Sequence, residues 1–167
     1  MTHLVPALVM TVGLWAAVPA VAQDLSFSSQ ATDDCFAAGG TAETCIGASA
    51  QACMVENDGG YSTVAMGFCF DRERAYWDEA LNAAYRELMR QVEATDAENA
   101  EYAPNAPRQA DALREMQRAW ITYRDRRCDY ERSLWGGGTG GGPAQLACLM
   151  SETAHQALYL EEQLGGE

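Results

Sequence analysis

The chain has 167 residues, of which 24 are acidic and 11 are basic, so its formal charge at pH 7 is −13. Because nucleic acids and anionic lipids bind positively charged protein surfaces, this acidity excludes them as natural partners and favours a basic partner. The length is that of one domain large enough to bury a hydrophobic core.

The first 22 residues resemble an export signal. Residues 4–18 form an apolar stretch that is too short to span a membrane, and Ala20-Val21-Ala22 is typical of a signal peptidase site. We therefore predict cleavage after Ala22, a periplasmic or secreted protein, and a single mature domain of residues 23–167. We predict no membrane anchor, because no cysteine directly follows the predicted cleavage site.

Six cysteines follow the predicted leader, which is an even number and favours disulfide bonding in an oxidising compartment. They lie at Cys35, Cys45, Cys53, Cys69, Cys128 and Cys148. No two of them have the C-x-x-C spacing of redox or zinc sites, and His155 is the one histidine after the leader. We predict three structural disulfides and neither a metal nor any other cofactor.

Residues that favour strands are scarce after the leader, whereas Ala, Leu, Glu, Gln and Arg are frequent, so we predict an all-α fold. Apolar residues recur at helical spacing over 77–92, 113–134 and 146–164, which predicts three long amphipathic helices. The apolar stripe of the middle segment includes Tyr123, Tyr130 and Leu134, which we expect in the core. Two shorter helices are predicted at 31–38 and 47–57, in a cysteine-rich part of residues 23–62 that precedes a helical core of residues 63–164.

The helix order suggests how the cysteines pair. Cys128 lies about as far before the glycine-rich turn 136–143 as Cys148 lies after it, so an antiparallel hairpin would place them side by side. The other four most simply pair locally, Cys35 with Cys45 and Cys53 with Cys69.

Two stretches carry a family resemblance. WDEALNAAYREL at 77–88 follows Cys69, and MQRAWITYRDRRC at 116–128 precedes a glycine-containing turn, Cys148 and a final helix. In this order the motifs resemble those of the LprI-type lysozyme inhibitor family over roughly residues 35–164. The resemblance implies an exported, disulfide-bonded, mainly helical protein, in a family of which some members resemble inhibitors of host lysozyme and many have no established role.

Seven polar and aromatic positions of these motifs are candidate site residues: Asp78, Asn82, Tyr85, Gln117, Trp120, Arg124 and Asp125. Their helical spacing puts the first three on one face and Gln117, Trp120 and Arg124 on one face of the other helix. If the faces meet, we expect a bidentate Asp78–Arg124 pair with Asn82 and Gln117 satisfying the remaining polar groups. We interpret this set as a polar seam that fixes helix register. A small-ligand cleft is the alternative.

Nothing in the sequence marks an enzyme. A lone histidine with neighbouring hydroxyls is weak support for a catalytic triad, and the run GGGTGGG lacks the lysine of a phosphate-binding loop. A protein partner fits better, and a basic lysozyme would be attracted by the negative charge. The candidate contact is the glycine-rich turn, with Trp135 as the anchor, Gly137, Gly138 and Gly140 allowing close approach, and Arg127 facing carboxylates.

Three functions stay open at this point. The first is inhibition of a cell-wall-cleaving lysozyme by blocking its cleft. The second is an envelope interaction or assembly factor without an enzyme target, and the third is catalysis on cell-wall polymer. The glycine run itself has a second interpretation as a flexible connector.

Overall fold

The computed structural model describes residues 24–165, and the predicted leader lies outside them. Six helices occur in this range and no strand does: α1 Gln30–Ala37, α2 Ala42–Cys45, α3 Ala48–Glu56, α4 Thr63–Tyr102, α5 Gln109–Ser133 and α6 Gly141–Leu164. The predicted all-α class is confirmed. The predicted helix breaks also lie between observed helices, apart from the last residues of α4 and the first of α6.

Helix α4 is 40 residues long and begins 14 residues earlier than the predicted segment 77–92. The Ser62 side chain caps it by accepting a hydrogen bond from the backbone N–H of Ala65 at 3.2 Å. Apolar residues lie on more than one face of its first turns because α3 packs against one side and α6 against another. The one-sided periodicity used for the prediction is therefore absent there, and the early turns were missed.

The three long helices form an up-down-up arrangement in which α5 is antiparallel to α4 and α6 returns parallel to it. Helix α6 packs along α4 through most of its length, and α5 packs mainly against α6. Helices α4 and α5 meet near their connecting turn, where Arg114 donates to Glu93 at 2.8 Å. The core includes Trp77, Leu81 and Leu160.

The second half of α5 is exposed, which contradicts part of the predicted apolar stripe. Leu113 is buried, but Tyr123 is 57% exposed, and Tyr130 and Leu134 are each 61% exposed. Beyond Trp120, the hydrogen bonds, the ion pair and the disulfide that link α5 to another helix join it to α6, including the Cys128–Cys148 bond. The periodicity identified a genuine helix face, but no neighbouring element covers its second half.

The three disulfides join the predicted pairs, Cys35–Cys45, Cys53–Cys69 and Cys128–Cys148. The second bond fastens α3 to α4, and the third closes the α5–α6 hairpin. Three such bonds fit a protein of an oxidising compartment.

A buried glutamate joins the N-terminal helices to α4. Glu73 is fully buried and accepts hydrogen bonds from the backbone N–H groups of Gly47 and Ala50, at 2.7 and 2.6 Å. It also accepts from the Thr32 hydroxyl at 3.1 Å and from the Trp77 indole at 3.2 Å. Four donors from α1, α3 with its preceding residue, and α4 therefore converge on one carboxylate.

An acidic residue of α4 caps α5. The Asp96 side chain is 6% exposed and accepts from the backbone N–H groups of Gln109 at 2.8 Å and Ala110 at 3.0 Å. These two bonds lower the pKa of Asp96, because they stabilise its charged form.

The cap predicts a pH dependence of stability. Because the folded-state pKa of Asp96 lies below its unfolded value of about 3.9, its stabilising contribution is fully present above that pH and is lost as pH falls through the folded pKa. We expect Asp96→Asn to lower the free energy of unfolding at pH 7, with a difference from wild type that shrinks below about pH 4. Urea titrations at several pH values check this. Glu98→Gln, an exposed change on the same helix, is the control, and a difference that did not change with pH would contradict the assignment.

Candidate protein-binding surface

The chain between α5 and α6 is a compact series of turns. Backbone hydrogen bonds run from Gly136 N–H to Ser133 O at 3.1 Å, from Gly138 N–H to Trp135 O at 2.8 Å, and from Gly141 N–H to Gly138 O at 3.1 Å. Gly136 and Gly137 have φ values of +55° and +88°, a region that favours glycine. We call residues 134–140 the α5–α6 turn.

Trp135 is the prominent side chain of this turn. It is 54% exposed, and its indole lies across Gly140, where an added methyl group would come within 2.2 Å of the ring. Because Gly140 has no side chain, the indole packs directly against its backbone. The opposite side of the ring faces solvent. Gly137 and Gly138 are exposed on the neighbouring surface.

A shallow depression of about 640 Å³ lies beside the turn, lined by Asp129, Arg132, Ser133, Gly138, Thr139 and Gly142 among others. Two consecutive hydrogen bonds fix one wall of the depression. Arg132 donates to the Gln145 side chain at 3.1 Å, and Gln145 donates to Asp129 at 2.9 Å. Arg132 is therefore held against α6, and it remains exposed to solvent beside the depression.

Arg127 does not have the role that we predicted for it. Its guanidinium is paired with Glu152 of α6. This pair links the two helices next to the Cys128–Cys148 bond, and it uses the charge that was expected to face a partner. Arg126 and Arg132 are also exposed, but Arg126 lies 4.0 Å from the Asp129 carboxylate, so Arg132 is the exposed arginine next to the turn.

The predicted Asp78–Arg124 pair does not form. Asp78 accepts from the Asn82 side chain on its own helix at 3.0 Å, whereas Arg124 pairs with the adjacent Asp125 at 2.8 Å. Arg124 also lies over the Trp120 ring, 4.9 Å from its centroid.

The helix register explains why the pair is absent. The Glu93–Arg114 contact places Arg124 roughly one turn further along α4 than Asp78, an axial offset of about 7 Å at ~1.5 Å per residue. Both residues bond within their own helix instead. The polar seam is therefore wrong as a set of α4–α5 contacts.

One residue of the motifs does bridge two helices. Gln117 is buried and accepts from the Gln156 side chain of α6 at 3.0 Å. Sequence reasoning missed Gln156 as a partner because it paired the two motif helices with each other rather than with α6. Tyr85 and Trp120 are partly buried against the core.

Charge is distributed unevenly over the molecule. Residues 24–62 contain six acidic residues and neither lysine nor arginine. Seven of the 11 arginines lie on or directly before α5: Arg108, Arg114, Arg118, Arg124, Arg126, Arg127 and Arg132. The candidate turn thus adjoins the most arginine-rich helix of an otherwise acidic body.

A protonated tyrosine of α4, Tyr76, lies next to a carboxylate of α1. The Tyr76 hydroxyl donates to Asp33 at 2.7 Å, and burial together with this bond raises the pKa of Tyr76 to about 12. Burial also raises the pKa of the nearby Glu161 carboxyl. The Tyr76 hydroxyl is therefore uncharged at physiological pH and contributes nothing to the negative charge of the molecule.

No helix among residues 24–165 combines the length and the apolar character that crossing a membrane requires. Within the same residues no group of three or more His, Cys, Asp or Glu side chains is arranged to hold a metal ion. Every buried side-chain nitrogen or oxygen in this part of the chain has a hydrogen-bond partner.

Comparison with known proteins agrees with the motifs. A family model described as "Lysozyme inhibitor LprI" matches residues 53–160, which include α4, α5 and most of α6. An uncharacterized 17.7 kDa protein from the puhA 5′ region of Rhodobacter capsulatus is 29% identical over 140 residues, covering 81% of this chain and 86% of that protein. An uncharacterized protein of Rhizobium meliloti (strain 1021), R02472, is 30% identical over 101 residues, covering 60% of this chain and 73% of that protein.

No solved structure matches this chain. The family match spans more than half of the sequence and contains both motifs, four of the six disulfide cysteines and the α5–α6 turn. The chain therefore belongs to the LprI lysozyme inhibitor family.

Proposed function

We propose that this protein inhibits a lysozyme outside the cytosol by placing the α5–α6 turn in the active-site cleft. The observation that carries this proposal is the exposed indole of Trp135, held over Gly140 in a turn whose backbone is hydrogen-bonded. The Cys128–Cys148 bond supports both flanking helices. A turn arranged in this way before binding loses less conformational entropy than a free loop.

The chemistry of the turn complements that of a lysozyme cleft. Such a cleft binds polysaccharide and contains two catalytic carboxyl groups. Trp135 offers a flat apolar surface of the kind that anchors protein interfaces, and the exposed Arg132, three residues earlier in the chain, offers positive charge beside it. The glycines next to the indole leave the backbone accessible.

The negative charge of the whole molecule supports a basic target. Animal lysozymes are strongly basic, so a protein of charge −13 attracts them over several ångströms and speeds their association at low salt. This attraction is screened at higher ionic strength, since the Debye length falls to about 8 Å at 0.15 M salt.

The direct test is an inhibition assay with the oxidised, purified protein against chicken-type, goose-type and invertebrate-type lysozymes acting on cell walls. We expect one of these types to be inhibited at micromolar concentration or below in low salt, with weaker inhibition as salt rises. Full activity of all three enzymes under these conditions would overturn the proposal. Co-purification of an envelope protein from native cells would then favour the assembly factor.

The role of the turn is tested by Trp135→Ala. Because truncating an aromatic anchor costs about 2 kcal/mol or more, we expect the inhibition constant to rise about 30-fold while the melting temperature changes little. The matched control is Tyr102→Ala, an exposed aromatic at the last residue of α4, at the opposite end of the bundle from the α5–α6 turn. Unchanged potency of the Trp135 variant would place the inhibitory site elsewhere on the molecule.

A further inference from the structure

Most large hydrophobic side chains that are exposed in the described chain lie in two segments. One consists of the connection between α3 and α4 together with the adjoining helix ends, residues 55–64, which we call the α3–α4 turn. The other is the end of α5 with the α5–α6 turn. Their exposed residues are Val55, Tyr61 and Val64 in the first, and Tyr130, Leu134 and Trp135 in the second.

The topology brings these segments to the same end of the bundle. Helices α4 and α6 are parallel, and a methyl group on Gly67 would lie 3.5 Å from the Leu146 side chain. Val64 lies one turn before Gly67 on the same side of α4, and Gly142 lies one turn before Leu146 on α6. Val64 is therefore level with Gly142, two residues from the glycine that carries the Trp135 indole.

The α3–α4 turn is as firmly held as the α5–α6 turn. A methyl group on Gly60 would meet the Met54 carbonyl oxygen at 2.1 Å, so the backbone is closely packed there. The Tyr61 hydroxyl accepts from the Gln51 side chain at 2.6 Å, which fixes the direction of the ring. The Cys53–Cys69 bond closes the segment. Each turn is thus clamped by its own disulfide.

The two turns differ in charge. Glu56 and Asp58 are the charged residues of 55–64, and both are acidic. Residues 126–135 at the end of α5 carry three arginines and two acidic residues, and Arg132 lies three residues before Trp135. A lysozyme presents the complementary arrangement, with carboxyl groups inside its cleft and a basic surface around it.

Interface size gives a further reason for two contact elements. A stable protein interface involves about 20–30 residues of each partner, which exceeds the seven residues of the α5–α6 turn. The α3–α4 turn is the exposed apolar surface at the same end that would extend it.

We infer that the α3–α4 turn is a second contact element that docks on the basic rim of the lysozyme while the α5–α6 turn occupies the cleft. This inference rests on the proposed function. Tyr61 and Val64 supply its apolar contact area, and Glu56 supplies charge complementary to the rim.

The test measures inhibition constants of Tyr61→Ala, Val64→Ser and Glu56→Lys against the lysozyme type that the wild-type protein inhibits. We expect each variant to inhibit about tenfold more weakly, as for interface positions of intermediate importance. Glu98→Lys near the far end of α4 is the matched control for Glu56→Lys, and Tyr102→Ala is the control for the apolar changes. The controls should stay within twofold of wild type.

A measurement on the wild-type complex is independent of any variant's folding. Hydrogen exchange should show protection of backbone amides in both 55–64 and 134–140 when the lysozyme is bound. Protection and loss of potency confined to the α5–α6 turn would overturn this inference and leave the proposed function intact. Failure of the wild-type protein to inhibit any of the three lysozyme types would overturn both.

Discussion

Glu73→Ala is expected to lower the free energy of unfolding by about 3–5 kcal/mol, the range for removing one partner of a buried charged network. The alanine would leave the backbone N–H groups of Gly47 and Ala50 and the side-chain donors of Thr32 and Trp77 without their acceptor. It would also leave a cavity where the carboxylate now fills the space between α4 and the N-terminal helices.

Glu73→Gln separates the effect of charge from that of volume. Oε1 accepts from Thr32, Gly47 and Trp77, and Oε2 accepts only from Ala50. A glutamine can keep its amide oxygen at the Oε1 position, where it still accepts from all three of these donors. Its NH₂ group then faces a single donor, the backbone N–H of Ala50. We therefore expect a smaller loss, about 1–3 kcal/mol.

Urea denaturation at pH 7 measures both variants, with Glu79→Gln as the control because Glu79 is exposed on the same helix. The expected order of stability is wild type and control, then Glu73→Gln, then Glu73→Ala. If Glu73→Ala unfolded at the same urea concentration as the control, the glutamate would not join the N-terminal helices to α4.

Replacing both Cys53 and Cys69 with alanine is expected to cost about 3 kcal/mol, since the bond closes a loop with a sequence separation of 16 residues. The loss should be largest locally, because this bond is the covalent link between α3 and α4. We expect amides of α3 to exchange with solvent faster than those of the α5–α6 hairpin.

The matched control is the double alanine variant of Cys128 and Cys148, whose sequence separation is 20. Its overall loss of stability should be similar, but its exchange should increase around the α5–α6 turn. Hydrogen exchange followed by peptide mapping distinguishes the two variants. The same pattern of exchange in both would show that each bond stabilises only the whole fold.

The two changes in the N-terminal part are not independent. Glu73 lies one helical turn after Cys69 on α4, and both hold the residues around α3. Changes at contacting residues commonly deviate from additivity by about 0.5–3 kcal/mol. A variant that lacks both attachments therefore reports whether residues 24–62 fold as one unit with α4.

Local sequence was sufficient for the helical class, the approximate positions of the three long helices and the disulfide pairs, but not for α2 or the first turns of α4. Cys128 and Cys148 lie at matching distances from a glycine-rich turn, and the hairpin geometry follows from that spacing alone. The family motifs could also be recognised from the sequence, because each is a short run of residues next to its cysteine. These features depend on neighbours in sequence.

The contacts between helices could not be predicted as well from the sequence. The face shared by Tyr123, Tyr130 and Leu134 is a correct helix stripe, but periodicity cannot tell whether another element covers it. Similarly, Asp78 and Arg124 have complementary charges, yet the axial offset between α4 and α5 keeps them apart. Register between helices depends on all of their packing contacts together.

By itself, the sequence determined an acidic, disulfide-linked helical chain of the LprI family with a glycine-rich turn, because composition, periodicity and cysteine spacing are properties of the chain. Only the tertiary structure decided that Glu73 is buried at the junction of the N-terminal helices, that Arg127 is paired with Glu152, and that two exposed apolar turns share one end. The physical reason is that burial and pairing depend on which distant segments pack together.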